Sequence, residues 1–239
     1  MRPASLALIL ALSPLPAAAI INGVPAGGEI AAQTALIVST RGASCSGAVL
    51  APDLVLTAAH CVAPQANYAI AILGGSAPQL IPVTRVVLHP RFDPAQFQTR
   101  RPTPDLALLK LSQPLPGNFR AVRLMRDPAL PRPGDRFTLA GFGMTAEGNE
   151  KSAGTLRTLT LPAIGTTGGI MVRLAGGGGA CTGDSGGPAF RDGLVAAVIG
   201  WTTGPHGRGC GNVTGATLVG PQFAWIAATA RELGSRIGE

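Results

Sequence analysis

Three short segments of the sequence carry the side chains that an activated hydroxyl nucleophile needs. The segment 181–188 reads Cys-Thr-Gly-Asp-Ser-Gly-Gly-Pro and places Ser185 on a glycine-rich turn. His60 lies in Thr-Ala-Ala-His-Cys, and Asp105 opens the run Asp-Leu-Ala-Leu-Leu-Lys-Leu. A serine hydroxyl needs a base to take its proton, and the base needs a carboxylate that fixes its tautomer. The segments therefore predict Ser185 as nucleophile, His60 as general base and then acid, and Asp105 as the orienting carboxylate.

The order His, Asp, Ser and the sequences around these residues resemble those of the chymotrypsin-like (trypsin-fold) serine proteases. The resemblance runs from Ile20 to the C-terminal segment, so residues 20–239 are expected to form the protease domain. It implies a secreted serine endopeptidase that hydrolyses peptide bonds through an acyl-enzyme. It also implies that the backbone N–H groups of Gly183 and Ser185 form the oxyanion hole.

The spacing of apolar and turn residues predicts an all-β protein. Short apolar runs alternate with turn signals, one of which is the hairpin dipeptide Asp192-Gly193. The resemblance adds the chymotrypsin-like architecture, with two six-stranded antiparallel β-barrels at about 20–115 and 120–220 and the site in the cleft between them. The spacing of apolar residues in 222–233 predicts a C-terminal α-helix.

The first 19 residues have the layout of a secretory signal peptide. Arg2 precedes an apolar stretch, 6–12, and Ala17-Ala18-Ala19 is a small-residue cleavage site. The apolar stretch is much shorter than the roughly 20 residues that span a bilayer. We therefore expect a secreted or periplasmic protein without a membrane anchor.

Cleavage after Ala19 would expose Ile20 as the new N-terminus. The resemblance implies that this terminal amine enters the protein and pairs with Asp184, which precedes the predicted nucleophile. Almost no residues separate the signal peptide from Ile20, so our hypothesis is that signal peptidase itself activates the enzyme. A cut elsewhere followed by trimming, as a separate zymogen step, is the alternative.

Four cysteines in an exported chain predict two disulfides, for which three connectivities exist. The resemblance selects Cys45–Cys61 and Cys181–Cys210. No two cysteines form a close pair, so metal binding by them is not expected. The segment 74–82 lacks the acidic residues that bind calcium in many relatives. We therefore expect neither a metal nor another cofactor.

The resemblance also places the substrate pocket. Its walls are expected from three short segments, formed by Gly179 and Ala180, by Gly200, Trp201 and Thr202, and by Gly215. Relatives that cut after Lys or Arg carry a carboxylate where this chain has Gly179, and no acid occurs between Lys151 and Gly183. Thr202 stands where the family often has glycine and should narrow the pocket. Cleavage after small or medium apolar residues is therefore predicted.

Two positions depart from the family pattern. Gly200 replaces a serine that usually supports the triad carboxylate, and the segment 161–180 is short and rich in glycine. The sequence Asn212-Val213-Thr214 also matches a glycosylation sequon.

The formal charge of +7 does not indicate nucleic-acid binding, because the arginines are scattered and not interleaved with aromatic residues. A monomer is expected, with protein or peptide substrates as partners and protein inhibitors as further candidates. Two rival functions stay open at this point, a non-catalytic binding protein on the same fold and an esterase with the same triad.

Overall fold

The computed structural model describes residues 20–75, 77–99 and 101–238. The predicted signal peptide, residues 1–19, lies outside the described residues. β-strands dominate the described part of the chain. None of the helices in these ranges combines the length and the apolar character that a membrane crossing requires.

Six antiparallel strands close the first barrel. They are β2 (Thr34–Ser39), β3 (Ser44–Ala51), β4 (Leu54–Thr57), β5 (Tyr68–Ile72), β6 (Gln79–Leu88) and β7 (Ala107–Leu111), in the ring order β2-β3-β4-β7-β6-β5. Its interior is aliphatic, and Ile37, Val55, Ile70, Ile81 and Leu109 are all buried there. Closure leaves no unpaired sheet edge between the first and last strands of the ring.

The second barrel is formed by the C-terminal half of the chain. Its strands are β8 (Arg136–Gly141), β9 (Arg157–Thr167), β10 (Met171–Ala175), β11 (Pro188–Arg191), β12 (Leu194–Thr203) and β13 (Val213–Leu218). The ring closes through pairing of β8 with β9, and the short strand β1 (Val24–Pro25) adds to the outer edge of β9. Phe137, Leu139, Leu161 and Val172 fill its core together with Ile20.

The predicted fold class is confirmed, with two closed six-stranded barrels and a C-terminal helix. Local differences concern short elements. The sequence predicts strands over 105–111 and 154–162, but β7 begins at Ala107, two residues after Asp105, and β9 spans Arg157–Thr167. Three short helices were not predicted, namely α1 (Gly28–Gln33), α2 (Ala59–Val62) and α3 (Gln96–Thr99). Helices of four to six residues are not stable by propensity alone, so tertiary contacts decide them.

The C-terminal helix joins the two barrels. Helix α4 (Phe223–Glu232) buries Ile226 and Ala230 in a core cluster that includes Leu54 and Leu106 of the first barrel. Beside it the buried His89 ring lies 4.5 Å from the Trp225 ring, centroid to centroid. Helix α4 follows the last strand of the second barrel and packs on the first barrel, so it holds the two barrels together.

We expect the burial of His89 to make the free energy of unfolding depend on pH. Burial, and secondarily the charge of Arg91, lower the pKa of His89 from its ordinary 6.5 to about 4. The unfolded chain therefore binds more protons between these values, and the free energy of unfolding falls as the pH drops from 6.5 towards 4, by up to about 3 kcal/mol. The variant His89→Gln should flatten this dependence in urea-unfolding midpoints measured from pH 7 to pH 4.

The exposed His206 provides the matched control. The variant His206→Gln should keep the wild-type dependence on pH. An equal flattening in both variants, or none in His89→Gln, would contradict the role of His89.

Candidate active site

His60 and Asp105 are held together at one end of the first barrel. His60 lies in α2, and its Nδ1 is 2.7 Å from Oδ2 of Asp105. The backbone N–H of His60 donates to the other carboxylate oxygen at 2.9 Å. Asp105 is buried, whereas the His60 side chain is partly exposed. A carboxylate on Nδ1 places the ring proton there, so Nε2 has a free lone pair that can accept a proton.

Ser46 fastens the turn of Ser185 to the first barrel. Its backbone N–H donates to the carbonyl oxygen of Ser185 at 2.8 Å, and its hydroxyl donates to that of Gly183 at 2.9 Å. The same hydroxyl accepts the backbone N–H of Phe142 at 3.0 Å. Ser46 is fully buried on β3, so the first barrel holds both sides of the turn that carries Ser185.

The disulfides confirm the predicted pairing, Cys45–Cys61 and Cys181–Cys210. Sγ of Cys61 lies 3.8 Å from Nε2 of His60 and 3.6 Å from the carbonyl oxygen of Ser185. The structure therefore brings the backbone of Ser185 close to the His60–Asp105 pair, with the sulfur of Cys61 in contact with both His60 and the Ser185 carbonyl.

The turn before Ser185 depends on close backbone packing. Gly183 has a φ of 97°, in the left-handed region that favours glycine. A Cβ added to it would lie 2.8 Å from Cα of Gly143. A side chain at Gly183 would therefore both strain the turn and collide with the backbone at Gly143.

Asp184 is buried beneath this turn. Its two carboxylate oxygens accept the backbone N–H groups of Gly143 and Cys181, each at 2.8 Å. Burial raises the pKa of Asp184 to about 7, although these hydrogen bonds act in the opposite direction. Among the ion pairs of the described residues, none involves Asp184. The fold therefore contains a carboxyl group whose charge would be stabilised by a nearby cation.

Ile20 lies fully buried in the same region. It belongs to the core cluster that contains Ala180, and Ile21 pairs with Gly179 through two backbone hydrogen bonds of 3.0 and 3.2 Å. The φ of Ile20 is 50°, a conformation that β-branched residues rarely adopt. The structure thus places Ile20 next to the segment whose Cys181 N–H binds Asp184.

The predicted pocket segments come together, and Thr214 joins them. The backbone N–H of Ala180 donates to the Thr214 hydroxyl at 2.9 Å, and a Cβ added to Gly179 would lie 3.0 Å from the same oxygen. Thr202 pairs with Thr214 across β12 and β13, so two threonines stand side by side at this wall. The residues that contact one another here carry no charge.

Gly215 and the preceding residue, Thr214, face opposite sides of β13. Gly215 pairs with Trp201, and a Cβ on it would lie 2.1 Å from Cε2 of the indole. Gly215 therefore faces the Trp201 ring, whereas Thr214 faces Gly179. A Cβ on Gly200 would lie 3.5 Å from Oδ2 of Asp105. Because the residue is glycine, no side chain at this position contacts the carboxylate.

Three residues of the site were not identified from the sequence. Ser46 carries no local sequence signal, and Thr214 stands out in the sequence only as part of a glycosylation sequon. Phe97 of α3 is 45% exposed, and its ring packs edge to face on His60 with centroids 5.4 Å apart. Their positions depend on how distant strands and loops pack together, and a short sequence motif contains no information on that packing.

Gly143 offers a test of the packing under the Ser185 turn. A Cβ there would lie 2.6 Å from both Cγ and the backbone nitrogen of Asp184, so Gly143→Ala must displace this residue. We expect the labelling rate of Ser185 by a fluorophosphonate to fall about 10²-fold, comparable to the loss of an oxyanion donor. The control Gly117→Ala adds a methyl group where nothing lies within 4 Å. Equal labelling of the two variants would contradict this packing argument.

Comparison with known proteins places this geometry in a family. Human serine protease 56 is 34% identical over 60% of this chain and 26% of its own length, and mouse ovochymase-2 is 32% identical over 70% and 31%. The chain thus spans about a quarter to a third of these relatives. The structure of mouse neuropsin, a serine protease, matches with a TM-score of 0.72 at 23% identity, covering 88% of this chain and 99% of neuropsin. The family model described as Trypsin matches residues 20–226, and the chain therefore belongs to the trypsin family.

Proposed function

We propose that this chain is a secreted serine endopeptidase that hydrolyses peptide bonds through an acyl-enzyme. The observation that carries the proposal is the buried Asp105 carboxylate on Nδ1 of His60, beside a Ser185 turn that Ser46 fastens in place. Membership of the trypsin family supports the same reaction.

The reaction uses the three side chains in sequence. Nε2 of His60 takes the proton of Ser185 as Oγ attacks the substrate carbonyl, and Asp105 stabilises the imidazolium that forms. His60 then passes this proton to the leaving amine, which leaves an ester on Ser185. Water, deprotonated by His60, hydrolyses the ester and restores the hydroxyl group.

The backbone supplies the oxyanion site. In the proposal the N–H groups of Gly183 and Ser185 donate to the oxygen that becomes negative in the tetrahedral intermediate. Support comes from the left-handed conformation of Gly183 and from the two Ser46 hydrogen bonds that hold the carbonyl groups of Gly183 and Ser185 away from that oxygen.

The proposed activation step is removal of residues 1–19. The new amine at Ile20 would pair with Asp184, whose pKa burial raises to about 7 and whose ionised form needs a cation. Cleavage would also remove the constraint on φ at Ile20, since an N-terminal residue has no preceding carbonyl carbon. The signal sequence, the two disulfides and the position of Ile20 together support export coupled to activation.

Specificity for small or medium apolar residues is proposed from the pocket wall. The Thr214 hydroxyl stands against Gly179, and Thr202 lies beside it, so we expect a shallow pocket. The described residues in contact at this wall include no carboxylate that could pair with a Lys or Arg head. An unpaired cation transferred into such a site would be strongly disfavoured. Ala and Val are therefore the expected residues before the cleaved bond.

Mass spectrometry of the secreted protein after fluorophosphonate treatment tests function and maturation together. We expect one adduct on Ser185 in a chain that begins at Ile20, and no adduct in the variant Ser185→Ala. An adduct that forms only after further proteolysis would show a separate zymogen step. A correctly processed chain without an adduct would favour a binding protein, and turnover of esters but not amides would favour an esterase.

Opening the pocket should change the preferred substrate. In Thr214→Gly the side chain against Gly179 is lost, and we expect kcat/KM for a Phe substrate to rise at least 10-fold relative to an Ala substrate. Thr160→Gly serves as a control, because Thr160 lies on β9, where it is exposed and hydrogen-bonds to Thr138. A wild-type enzyme that prefers Lys or Arg to every apolar residue would refute the proposed specificity.

A further inference from the structure

Cys45, Cys61 and His60 bring two sulfurs and an imidazole into one corner of the cleft. One ligand atom from each residue lies within 4.8 Å of the other two. In the oxidised protein the sulfurs form a disulfide, which offers no thiolate to a cation. We propose that reduction of Cys45–Cys61 converts this corner into a Zn²⁺ site that binds Nε2 of His60 and switches the enzyme off.

The chemistry and spacing of the three residues suit zinc. Zn²⁺ binds thiolate sulfur at about 2.3 Å and imidazole nitrogen at about 2.0–2.1 Å in a tetrahedron, so neighbouring ligand atoms are roughly 3.5 Å apart. Sγ of Cys61 already lies 3.8 Å from Nε2 of His60. Reduction breaks the bond between the two sulfurs, and in the proposal the sulfur of Cys45 takes its own ligand position by a change of side-chain rotamer. The fourth position is left for water.

Asp105 prepares the imidazole for a metal as well as for a proton. Metal-binding histidines usually donate their second ring N–H to a carboxylate, which orients the ring and makes the ligand nitrogen more basic. The bond from Nδ1 of His60 to Asp105, at 2.7 Å, supplies this arrangement. Nε2, which lies 3.8 Å from the Cys61 sulfur, is then the ring nitrogen with a free lone pair.

The two disulfides differ in their access to a reductant. Cys45 and Cys61 are half-buried, whereas Cys181 and Cys210 are 2% and 7% exposed. A dithiol reductant should therefore reach Cys45–Cys61 first. Its thiolate attacks one sulfur to give a mixed disulfide, and its second thiol then releases both cysteine thiols and leaves as an oxidised cyclic disulfide. Zn²⁺ replaces the two thiol protons, which are released to solvent.

Zinc at this site removes the base from the reaction. A lone pair of Nε2 bound to the metal cannot accept the proton of Ser185, so this consequence rests on the function proposed above. A small-molecule disulfide re-forms Cys45–Cys61: one cysteine thiolate attacks it to give a mixed disulfide, the other displaces the second half, and the reagent leaves as two thiols. The metal then loses its sulfur ligands and His60 is freed. In the proposal, inhibition of the enzyme requires both a thiol reductant and zinc. Reduction alone is not sufficient for inhibition, because it leaves the lone pair of Nε2 free.

The experiment uses mature protein treated with a limiting dithiol and then freed of it by anaerobic gel filtration. Alkylation and mass spectrometry should show free thiols at Cys45 and Cys61 and an intact Cys181–Cys210 disulfide. We expect one equivalent of Co²⁺ to give sulfur-to-cobalt charge-transfer absorption, which Zn²⁺ displaces. One equivalent of Zn²⁺ should lower fluorophosphonate labelling of Ser185 at least 10-fold, and EDTA should restore it.

Variants separate the site from nonspecific thiol binding. His60→Ala should weaken Co²⁺ binding at least 10-fold, and Asp105→Asn should weaken it about 10- to 100-fold through the ring orientation. The double variant Cys45→Ser, Cys61→Ser should abolish the charge-transfer band. Cys181→Ser, Cys210→Ser, treated in the same way, should retain it.

Two results would overturn the zinc site, namely Co²⁺ binding that is unchanged in His60→Ala and an equal loss of the band in both double variants. Failure of the proposed function would look different. In that case Ser185 would never be labelled, whereas the absorption titrations would still report the metal.

Discussion

The geometry of the cleft depends on the hydrogen bonds that Ser46 makes across the two barrels. One buried residue of the first barrel satisfies the carbonyl oxygens of Gly183 and Ser185 and the N–H of Phe142. Each of these groups would be costly to bury without a partner. Because two of them flank the nucleophile turn, satisfying them also fixes where Ser185 stands relative to His60. The two barrels are thus kept in alignment because the buried backbone groups of one need the hydrogen bonds that Ser46 of the other supplies.

The sequence could predict those parts of the site that lie in contiguous motifs. Ser185, His60 and Asp105 each stand in a short segment whose residue types match their chemistry. The pattern of apolar and turn residues predicts an all-β protein, whereas the division into two barrels comes from the family resemblance. Phe97 and Ser46 could not be found in this way. Their importance comes from contacts between segments far apart in the chain, such as the Phe97 ring on His60.

The substrate pocket shows why register limits such predictions. The pairing of β12 with β13 shifts between Ile199 and Trp201, and this irregularity at Gly200 decides that Trp201 faces Gly215 and Thr202 faces Thr214. A shift of one residue exchanges the two faces of a strand. The sequence therefore predicts which segment lies opposite Gly179 but not which of its residues, Thr214, faces it. In the proposed substrate pocket, a threonine at this position leaves less space than glycine would.

Two buried aspartates show how the same group serves opposite purposes. Asp184 accepts two backbone N–H groups, but burial raises its pKa, so a nearby cation would stabilise its ionised form. Asp105 instead receives both the ring and the backbone N–H of His60, which fixes the tautomer with a bare Nε2. A proton acceptor and a metal ligand need that same bare nitrogen. If the zinc-site proposal holds, the two sulfurs beside Nε2 are compatible with its proposed role as a base only while they are bound to each other, as they are in the Cys45–Cys61 disulfide.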